Sequence, residues 1–285
     1  VSPGKMGSSY SSEMPDVCLR TARLSDGLLG DVADGSATGA TPFVWGHGLT
    51  SSRADEDAFP LVDSAVIAEH RQVLRYDARG HGMSSNLATP AEGDWAALAL
   101  DQIALIDHIG WEQVSLGGAS MGTATALHAA LVLGDRVRAL VLVIPPTAWE
   151  TRAGQIELYE QMAQAVEEHG TGVLEAGARA TPPPEPFADD PAWLDRRLAV
   201  LGSFDPARLA AAFRGAGTAD LPTPDSLETI TAPTLVLAWT GDPGHPSSTA
   251  ERLGELLPNS EVVISSTRED LDTWTTRCSD FLDQQ

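Results

Sequence analysis

The amino-acid sequence predicts an α/β fold in which helices cover both faces of a mostly parallel central sheet. Short apolar runs alternate with longer amphipathic runs along most of the chain. The short runs are apolar at nearly every position, which is typical of parallel strands buried on both faces. The chain has 285 residues, 42% of them hydrophobic, and this is enough for one sizeable core.

The individual elements follow from these runs in order. The apolar runs that predict strands are residues 42–46, 72–78, 112–118, 136–146, 232–239 and 261–266. The amphipathic runs that predict helices are residues 95–110, 120–134, 248–258 and 271–282. Gly110, Gly134 and Pro258 lie where three of these helices should end.

One segment departs from the alternation of strands and helices. Residues 147–219 show helical patterns, no convincing strand and a proline-rich loop at 181–191. We expect a helical cap inserted after the strand that ends at Ile144, since the segment lacks the polar linkers that would border a separate small domain. The predicted organisation is a disordered tail (1–20), a first part of the core (21–146), the cap (147–219) and a second part of the core (220–285).

Charge and composition exclude several classes of partner. The net charge of −22 repels nucleic-acid phosphates and anionic lipids, so we expect neither nucleic acid nor a membrane surface as a partner. The expected partner is a small-molecule substrate, and the expected state is a monomer or homodimer. No apolar run approaches the roughly 18 residues of a membrane helix, and residues 1–16 lack the apolar core of a secretory signal. We therefore expect a cytoplasmic protein. Cys18 and Cys278 are expected to be free thiols, with a disulfide between them as the alternative.

The most informative motif is Gly118-Ala119-Ser120-Met121-Gly122, a G-x-S-x-G pentapeptide. On its own the motif is weak, because glycine-rich chains contain it by chance. Here it follows a predicted strand and opens a predicted helix, which is where a nucleophile elbow must lie. The tight turn leaves no room for side chains at Gly118 and Gly122, and the helix N-terminus offers N–H groups to a developing oxyanion.

Four segments, in this order along the chain, resemble the α/β-hydrolase-fold family. Residues 45–53 (WGHGLTSSR) resemble the oxyanion loop after its third strand, and residues 75–84 (RYDARGHGMS) resemble the turn after its fourth strand. Residues 117–122 (GGASMG) resemble the elbow, and residues 239–246 (WTGDPGHP) resemble the loop after the seventh strand. The resemblance covers about residues 20 to 285 and implies the α/β-hydrolase fold, with a helical cap after strand 6. It specifies chemistry less closely, because this fold supports many reactions.

The resemblance implies roles for particular residues. Ser120 would be the nucleophile, and the backbone N–H groups of Leu49 and Met121 would form the oxyanion hole. Asp242 lies where the family carries its catalytic acid, although an Asp-Pro turn residue is the alternative.

Three further residues are candidate substrate contacts, each with a structural alternative. His47 could contact substrate or shape its loop, and Arg53 could meet an anionic group or form a surface salt bridge. Trp149 could line an apolar pocket or pack within the cap.

The histidine departs from the family pattern. Relatives usually carry the catalytic histidine between the last strand and the last helix, and here that loop, residues 265–272 (SSTREDLD), contains none. His245 is the best substitute, because it lies three residues after Asp242 in the loop that should face Ser120. The alternatives are that His245 caps its loop or contacts substrate, or that the site has no histidine base. Thr267 and Arg268, near the usual position, cannot act as bases near neutral pH.

Three functions remain open from the sequence. The first is a serine hydrolase that cleaves a small ester or lactone, similar to capped esterases and lactonases of the 3-oxoadipate enol-lactonase type. The second is a non-hydrolytic enzyme, such as an isomerase, epimerase, cyclase or lyase, that uses the oxyanion hole and Asp242. The third is a ligand-binding protein with a vestigial site. No cofactor or metal is expected, since phosphate-binding glycine motifs and paired metal ligands are absent from the sequence.

Overall fold

A computed structural model describes residues 19–33 and 39–285 of the chain. The predicted disordered tail falls almost wholly outside these residues, but its last two positions, Leu19 and Arg20, already belong to the first strand. The strands are β1 Leu19–Arg23, β2 Leu29–Ala33, β3 Phe43–Gly46, β4 Val73–Asp77, β5 Val114–Ala119, β6 Val137–Val143, β7 Thr234–Trp239 and β8 Ser260–Ser265.

Helices connect the strands and cover the sheet. The α-helices are α1 Arg53–Ala58, α2 Ser64–Ala68, α3 Trp95–Ile109, α4 Met121–Leu133, α5 Arg152–His169, α6 Gly172–Ala180, α7 Trp193–Ser203, α8 Pro206–Gly217, α9 Pro224–Leu227, α10 Ser247–Leu256, α11 Arg268–Asp272 and α12 Trp274–Asp283. Short 3-10 helices are Pro90–Gly93, Gly134–Arg136, Trp149–Thr151 and Glu185–Phe187.

The strands form one eight-stranded sheet in the order β1-β2-β4-β3-β5-β6-β7-β8. The pairings from β4 to β8 are parallel, whereas β1–β2 and β2–β4 are antiparallel. This confirms the predicted α/β-hydrolase fold. The apolar-run analysis missed β1 and β2, whose sequences LRTAR and LGDVA are too polar to stand out. These strands form the antiparallel edge, where burial on both faces is not required.

Alternate residues of the central strands feed two separate apolar cores. On β6, Leu140 and Leu142 belong to one core, and Val141 and Val143 belong to the other. Helices α3, α4 and α10 contribute to the first core, and α2 and α12 to the second. The sheet is therefore covered on both faces, which is why its central strands are apolar at nearly every position.

The segment between β6 and β7 is helical, running from the 3-10 helix Trp149–Thr151 through α5, α6, α7 and α8 to α9. The guanidinium of Arg208 on α8 ties this segment to the core by donating hydrogen bonds to the carbonyls of His81, Gly82 and Ser84. The division into cap and core at residues 147 and 219 stays a prediction.

Two expectations concern features outside the site. In the part of the chain that the structure describes, no helix is long and apolar enough to cross a membrane. Cys278 is a buried free thiol, and burial raises its pKa. Cys18, its possible disulfide partner, lies outside the described residues.

Candidate active site

Ser120 occupies a strained turn between β5 and α4. Its backbone has φ 53° and ψ −109°, a conformation that L residues rarely adopt. The N–H of Ser120 donates to the carbonyl of Val143 at 2.9 Å, which ties the turn to β6. The serine side chain does not cap α4. Its hydroxyl is therefore free to bond elsewhere.

The glycines around Ser120 are required by backbone packing. A Cβ on Gly122 would lie 2.0 Å from the carbonyl oxygen of Gly46, and a Cβ on Gly118 would lie 2.5 Å from that same oxygen. The β3 backbone thus packs directly on the elbow. This contact explains why the motif has glycine at both flanking positions and why Gly46 ends β3.

His245 and Asp242 complete a hydrogen-bonded chain with Ser120. The distance from His245 Nε2 to Ser120 Oγ is 2.8 Å, and that from His245 Nδ1 to Asp242 Oδ2 is also 2.8 Å. A carboxylate can only accept, so Nδ1 carries the proton and Nε2 accepts the Ser120 O–H. The structure thus brings together the three residues for which the sequence predicts nucleophile, base and acid.

Asp242 is held by three donors. In addition to His245, the indole N–H of Trp239 donates to Oδ2 at 3.0 Å, and the backbone N–H of Gly244 donates to Oδ1 at 2.9 Å. Burial alone would raise the pKa of Asp242, but these hydrogen bonds and the charge interaction with His245 outweigh it and hold the pKa well below its ordinary value. Asp242 therefore stays ionised and can orient the imidazole.

Trp239 is a site residue that the sequence analysis assigned only to a strand. Its ring lies edge-on to the His245 ring, with 6.4 Å between centroids, and stacks on Trp274 at 6.0 Å. The indole N–H of Trp274 in turn donates to Ser265 Oγ at 2.9 Å. A signal was present in the sequence, since Trp239 ends a buried strand three residues before the predicted acid.

The usual position of the histidine is occupied by a helix cap. Thr267 Oγ1 accepts from the backbone N–H of Asp270 at 3.2 Å and starts α11. The Asp270 carboxylate accepts from the backbone N–H of Thr267 at 3.3 Å, which completes a capping box. This loop therefore has a local structural role, and the imidazole beside Ser120 comes from the loop after β7 instead.

The predicted oxyanion donors lie next to the elbow. A Cβ on Gly48 would lie 3.7 Å from Ser120 Cβ, so the loop that carries Leu49 packs against the serine. Among the described residues, neither the Leu49 N–H nor the Met121 N–H has an acceptor. Both side chains are buried. That the two amides form an oxyanion hole stays a prediction.

Comparison with known proteins places this arrangement in a family. Residues 41–271 match the α/β hydrolase fold family. The chain belongs to that family. The 3-oxoadipate enol-lactonase 2 of Acinetobacter baylyi is 29% identical over 193 residues, 67% of this chain and 69% of that protein. The sn-1-specific diacylglycerol lipase ABHD11 of Mus musculus is 33% identical over 160 residues, 56% of this chain and 49% of that protein.

Solved structures agree with the α/β-hydrolase fold. The crystal structure of the enol-lactonase from Burkholderia xenovorans LB400 superposes with a TM-score of 0.75 and 22% identity, covering 90% of this chain and 97% of that one. At this level of identity the likeness concerns the fold. The family match and the relatives support a hydrolase.

Two of the predicted substrate contacts of this α/β hydrolase, His47 and Arg53, have partners within the protein that fit their structural alternatives. His47 is buried, its Nδ1 hydrogen-bonds the Gly48 carbonyl at 2.8 Å, and its Nε2 accepts the Ala78 N–H at 3.0 Å. Burial and the neighbouring His81 lower its pKa to about 3, so the ring is neutral and shapes its loop. Arg53 pairs with Asp31, and also with Asp77 at 3.2 Å, instead of presenting a free cation.

Trp149 is only partly accounted for by the structure. Its indole N–H donates to the Pro222 carbonyl at 3.0 Å, and its ring packs against the larger apolar core. A contact of this ring with substrate stays a prediction. Across residues 19–33 and 39–285, no group of three or more His, Cys, Asp or Glu side chains is arranged to hold a metal ion.

Proposed function

We propose that this protein is a serine hydrolase that cleaves a small ester or lactone through an acyl-enzyme on Ser120. The observation that carries the proposal is the continuous hydrogen-bond chain from Ser120 Oγ through His245 to Asp242. A serine hydroxyl is a weak nucleophile unless a base within hydrogen-bond reach removes its proton. Here His245 Nε2 lies at that distance with its lone pair directed at the hydroxyl.

In the acylation step, Ser120 Oγ attacks the substrate carbonyl carbon as its proton moves to His245 Nε2. The imidazolium that forms is stabilised by the ionised Asp242, which accepts the Nδ1–H throughout. The carbonyl oxygen becomes an oxyanion and accepts hydrogen bonds from the Leu49 and Met121 amides. Collapse of this intermediate expels an alkoxide, which takes the proton from His245.

In the deacylation step, water replaces the serine as the nucleophile. His245 Nε2 accepts a proton from the water, the water oxygen attacks the acyl carbon, and Ser120 leaves with the returned proton. For a lactone the expelled alkoxide remains attached to the acyl chain. The product of the whole cycle is then one hydroxy acid instead of an acid and an alcohol.

The main argument for a non-hydrolytic enzyme does not apply to this structure. It was motivated by the lack of a histidine in the usual loop, and the structure has His245 Nε2 2.8 Å from Ser120 Oγ. No observation in the described part of the chain favours isomerisation, cyclisation or simple ligand binding over ester cleavage.

Turnover of 4-nitrophenyl butyrate and of a simple lactone tests the proposal. We expect saturable hydrolysis by the wild type and a loss of about a thousandfold or more in Ser120→Ala, because removal of the nucleophile leaves only binding and the oxyanion hole. Ser25→Ala, at an exposed serine in the turn between β1 and β2, is the matched control and should keep full activity. Equal rates for Ser120→Ala and the wild type would refute the proposal.

A further inference from the structure

Arg197 on α7 is a partly buried guanidinium with an incomplete set of partners. Its Nη1 donates to Thr50 Oγ1 at 3.0 Å. In the described part of the chain it makes no salt bridge, and Nε and Nη2 have no acceptor. These two nitrogens are also not sealed from solvent, unlike the shielded and unpartnered Nε atoms of Arg53, Arg71 and Arg208. The N–H groups on Nε and Nη2 of Arg197 can therefore donate hydrogen bonds to a ligand.

Other shielded arginines of the described chain have clear structural uses. Arg152 donates to the carbonyls of Ala216 and Ala219, and Arg208 donates to three carbonyls near His81. Arg53 and Arg71 pair with aspartates. Arg197, in contrast, is half-buried and has one neutral acceptor, which compensates only in part for the water that its charge has lost. Arg197 therefore lacks the structural explanation that fits the others.

The position of Arg197 links it to the candidate active site. Thr50, its hydrogen-bond partner, directly follows Leu49, the predicted oxyanion donor. Burial lowers the pKa of Arg197, and the one charge that opposes this shift is the Asp242 carboxylate. The guanidinium thus contacts the loop after β3, next to the predicted oxyanion donor. It remains charged near neutral pH, as arginine does in proteins.

We propose that Arg197 binds a carboxylate of the substrate, so that the hydrolase acts on small esters or lactones that carry a second, anionic group. This inference rests on the proposed function of the Ser120 site and names its substrate class. A carboxylate matches the planar fork of arginine and can accept two parallel N–H bonds from it. Nη2 and Nε, which have no acceptor among the described residues, form one such pair.

The overall charge of the protein makes this local cation important. With a net charge of −22, the surface as a whole repels an anionic substrate. A neutral ester needs no counter-charge in the site, whereas a carboxylate leaving water needs one. Arg197 supplies that charge beside the reacting groups and fixes the distance between the anionic end of the substrate and the carbonyl that Ser120 attacks.

Matched pairs of 4-nitrophenyl esters test the inference. One member of each pair is the hemiester of a linear dicarboxylic acid, pentanedioic to octanedioic, and the other is the ester of the monocarboxylic acid of the same length. After subtraction of spontaneous hydrolysis, we expect wild type to prefer at least one hemiester. Arg197→Gln should lower kcat/KM for that hemiester about tenfold or more, chiefly through KM, and change the neutral ester less than about threefold.

Two further variants distinguish the effects of the charge and of the fork geometry of Arg197 from a general disturbance of the helical segment. Arg197→Lys keeps the charge and loses the fork, so it should fall between wild type and Arg197→Gln. Arg179→Gln removes an exposed arginine from α6 and should leave both esters unchanged. A parallel loss of both esters in Arg197→Gln, or a wild type that prefers every neutral ester, would overturn the inference.

Binding to the inactive Ser120→Ala variant gives a second readout that does not depend on turnover. The dicarboxylates of the same series should raise its melting temperature, and Arg197→Gln in the Ser120→Ala background should abolish the increase. If the wild type cleaves no ester of either kind, the proposed hydrolytic function fails. The same binding experiment then decides the inference, because the absence of Arg197-dependent binding overturns it.

Discussion

At the scale of single residues, the candidate site depends on how one short loop holds Asp242 and His245. The Gly244 N–H bonds Asp242 Oδ1, and the His245 ring bonds Oδ2 of the same carboxylate. The acid and the imidazole are thus oriented within four consecutive positions. Spacing along the sequence predicts that these side chains can meet, but it cannot predict that the free ring nitrogen reaches Ser120, 125 residues away in the chain.

Trp239 allows a test of how Asp242 is kept ionised. Trp239→Phe removes one donor from Oδ2 and keeps an aromatic ring beside His245. We expect kcat/KM to fall about tenfold, since a hydrogen bond to a charged group contributes roughly 1.5 to 3 kcal/mol. The pKa of Asp242 should also rise toward its ordinary value.

The pH dependence of unfolding gives the second readout for this variant. Because the folded-state pKa of Asp242 is depressed, its contribution to stability is present above the unfolded pKa of about 3.9 and is lost as the pH falls toward the folded value. In Trp239→Phe the folded-state pKa lies closer to the unfolded value, so stability below about pH 4, as thermal unfolding measures it, should depend less on pH. Trp274→Phe, which removes the N–H bonded to Ser265, is the control and should keep the wild-type slope.

At the scale of elements, the elbow was the most predictable part of the site. A glycine-flanked serine between an apolar run and a helical run predicts a tight strand-to-helix turn, and the structure has β5 ending at Ala119 and α4 beginning at Met121. The sequence could not reveal which neighbouring backbone leaves no room for side chains at Gly118 and Gly122. That partner is Gly46 on β3, more than seventy positions away from Gly118 and Gly122.

Gly122→Ala tests this packing. The added Cβ would meet the Gly46 carbonyl, which is backbone and cannot swing aside. We expect a loss of about 3 kcal/mol or more in the free energy of unfolding, measured by urea denaturation, together with loss of ester hydrolysis.

Gly177→Ala is the matched control for that substitution. Gly177 lies within α6 and a Cβ there would meet nothing within 4 Å. Alanine favours helix over glycine, so this variant should gain about 0.5 to 1 kcal/mol. A Gly122→Ala protein as stable as wild type would contradict the proposed role of the β3 contact.

At the scale of the whole molecule, apolar patterning predicted the parallel part of the sheet and its two-sided covering. It did so because burial on both faces leaves β5, β6 and β7 with almost no polar positions. The antiparallel edge of β1 and β2 was missed, because an edge that is partly open to solvent tolerates residues such as Arg20 and Asp31. Apolar patterning therefore identifies a strand only where burial on both faces leaves few polar residues in it.

Contacts between distant segments also limited how much of the site could be predicted from the sequence. The Arg197–Thr50 bond spans 147 positions, and no local pattern marks that arginine among its neighbours on α7. The sequence showed that residues 265–272 lack the usual histidine. It could not show that His245 reaches Ser120, because this depends on the course of the loop after β7. Residue types thus predicted which side chains could form a catalytic triad, and tertiary packing brings Ser120, His245 and Asp242 into contact.

The central claim is that His245 activates Ser120, and the most direct measurement is the rate at which a fluorophosphonate probe labels the protein, followed by intact mass. We predict labelling of one site in the wild type, none in Ser120→Ala, and labelling slowed about a hundredfold or more in His245→Gln. His169→Gln, at an exposed histidine of α5, should label like the wild type. Failure of the folded wild type to label, or equal rates for His245→Gln and the wild type, would contradict the account.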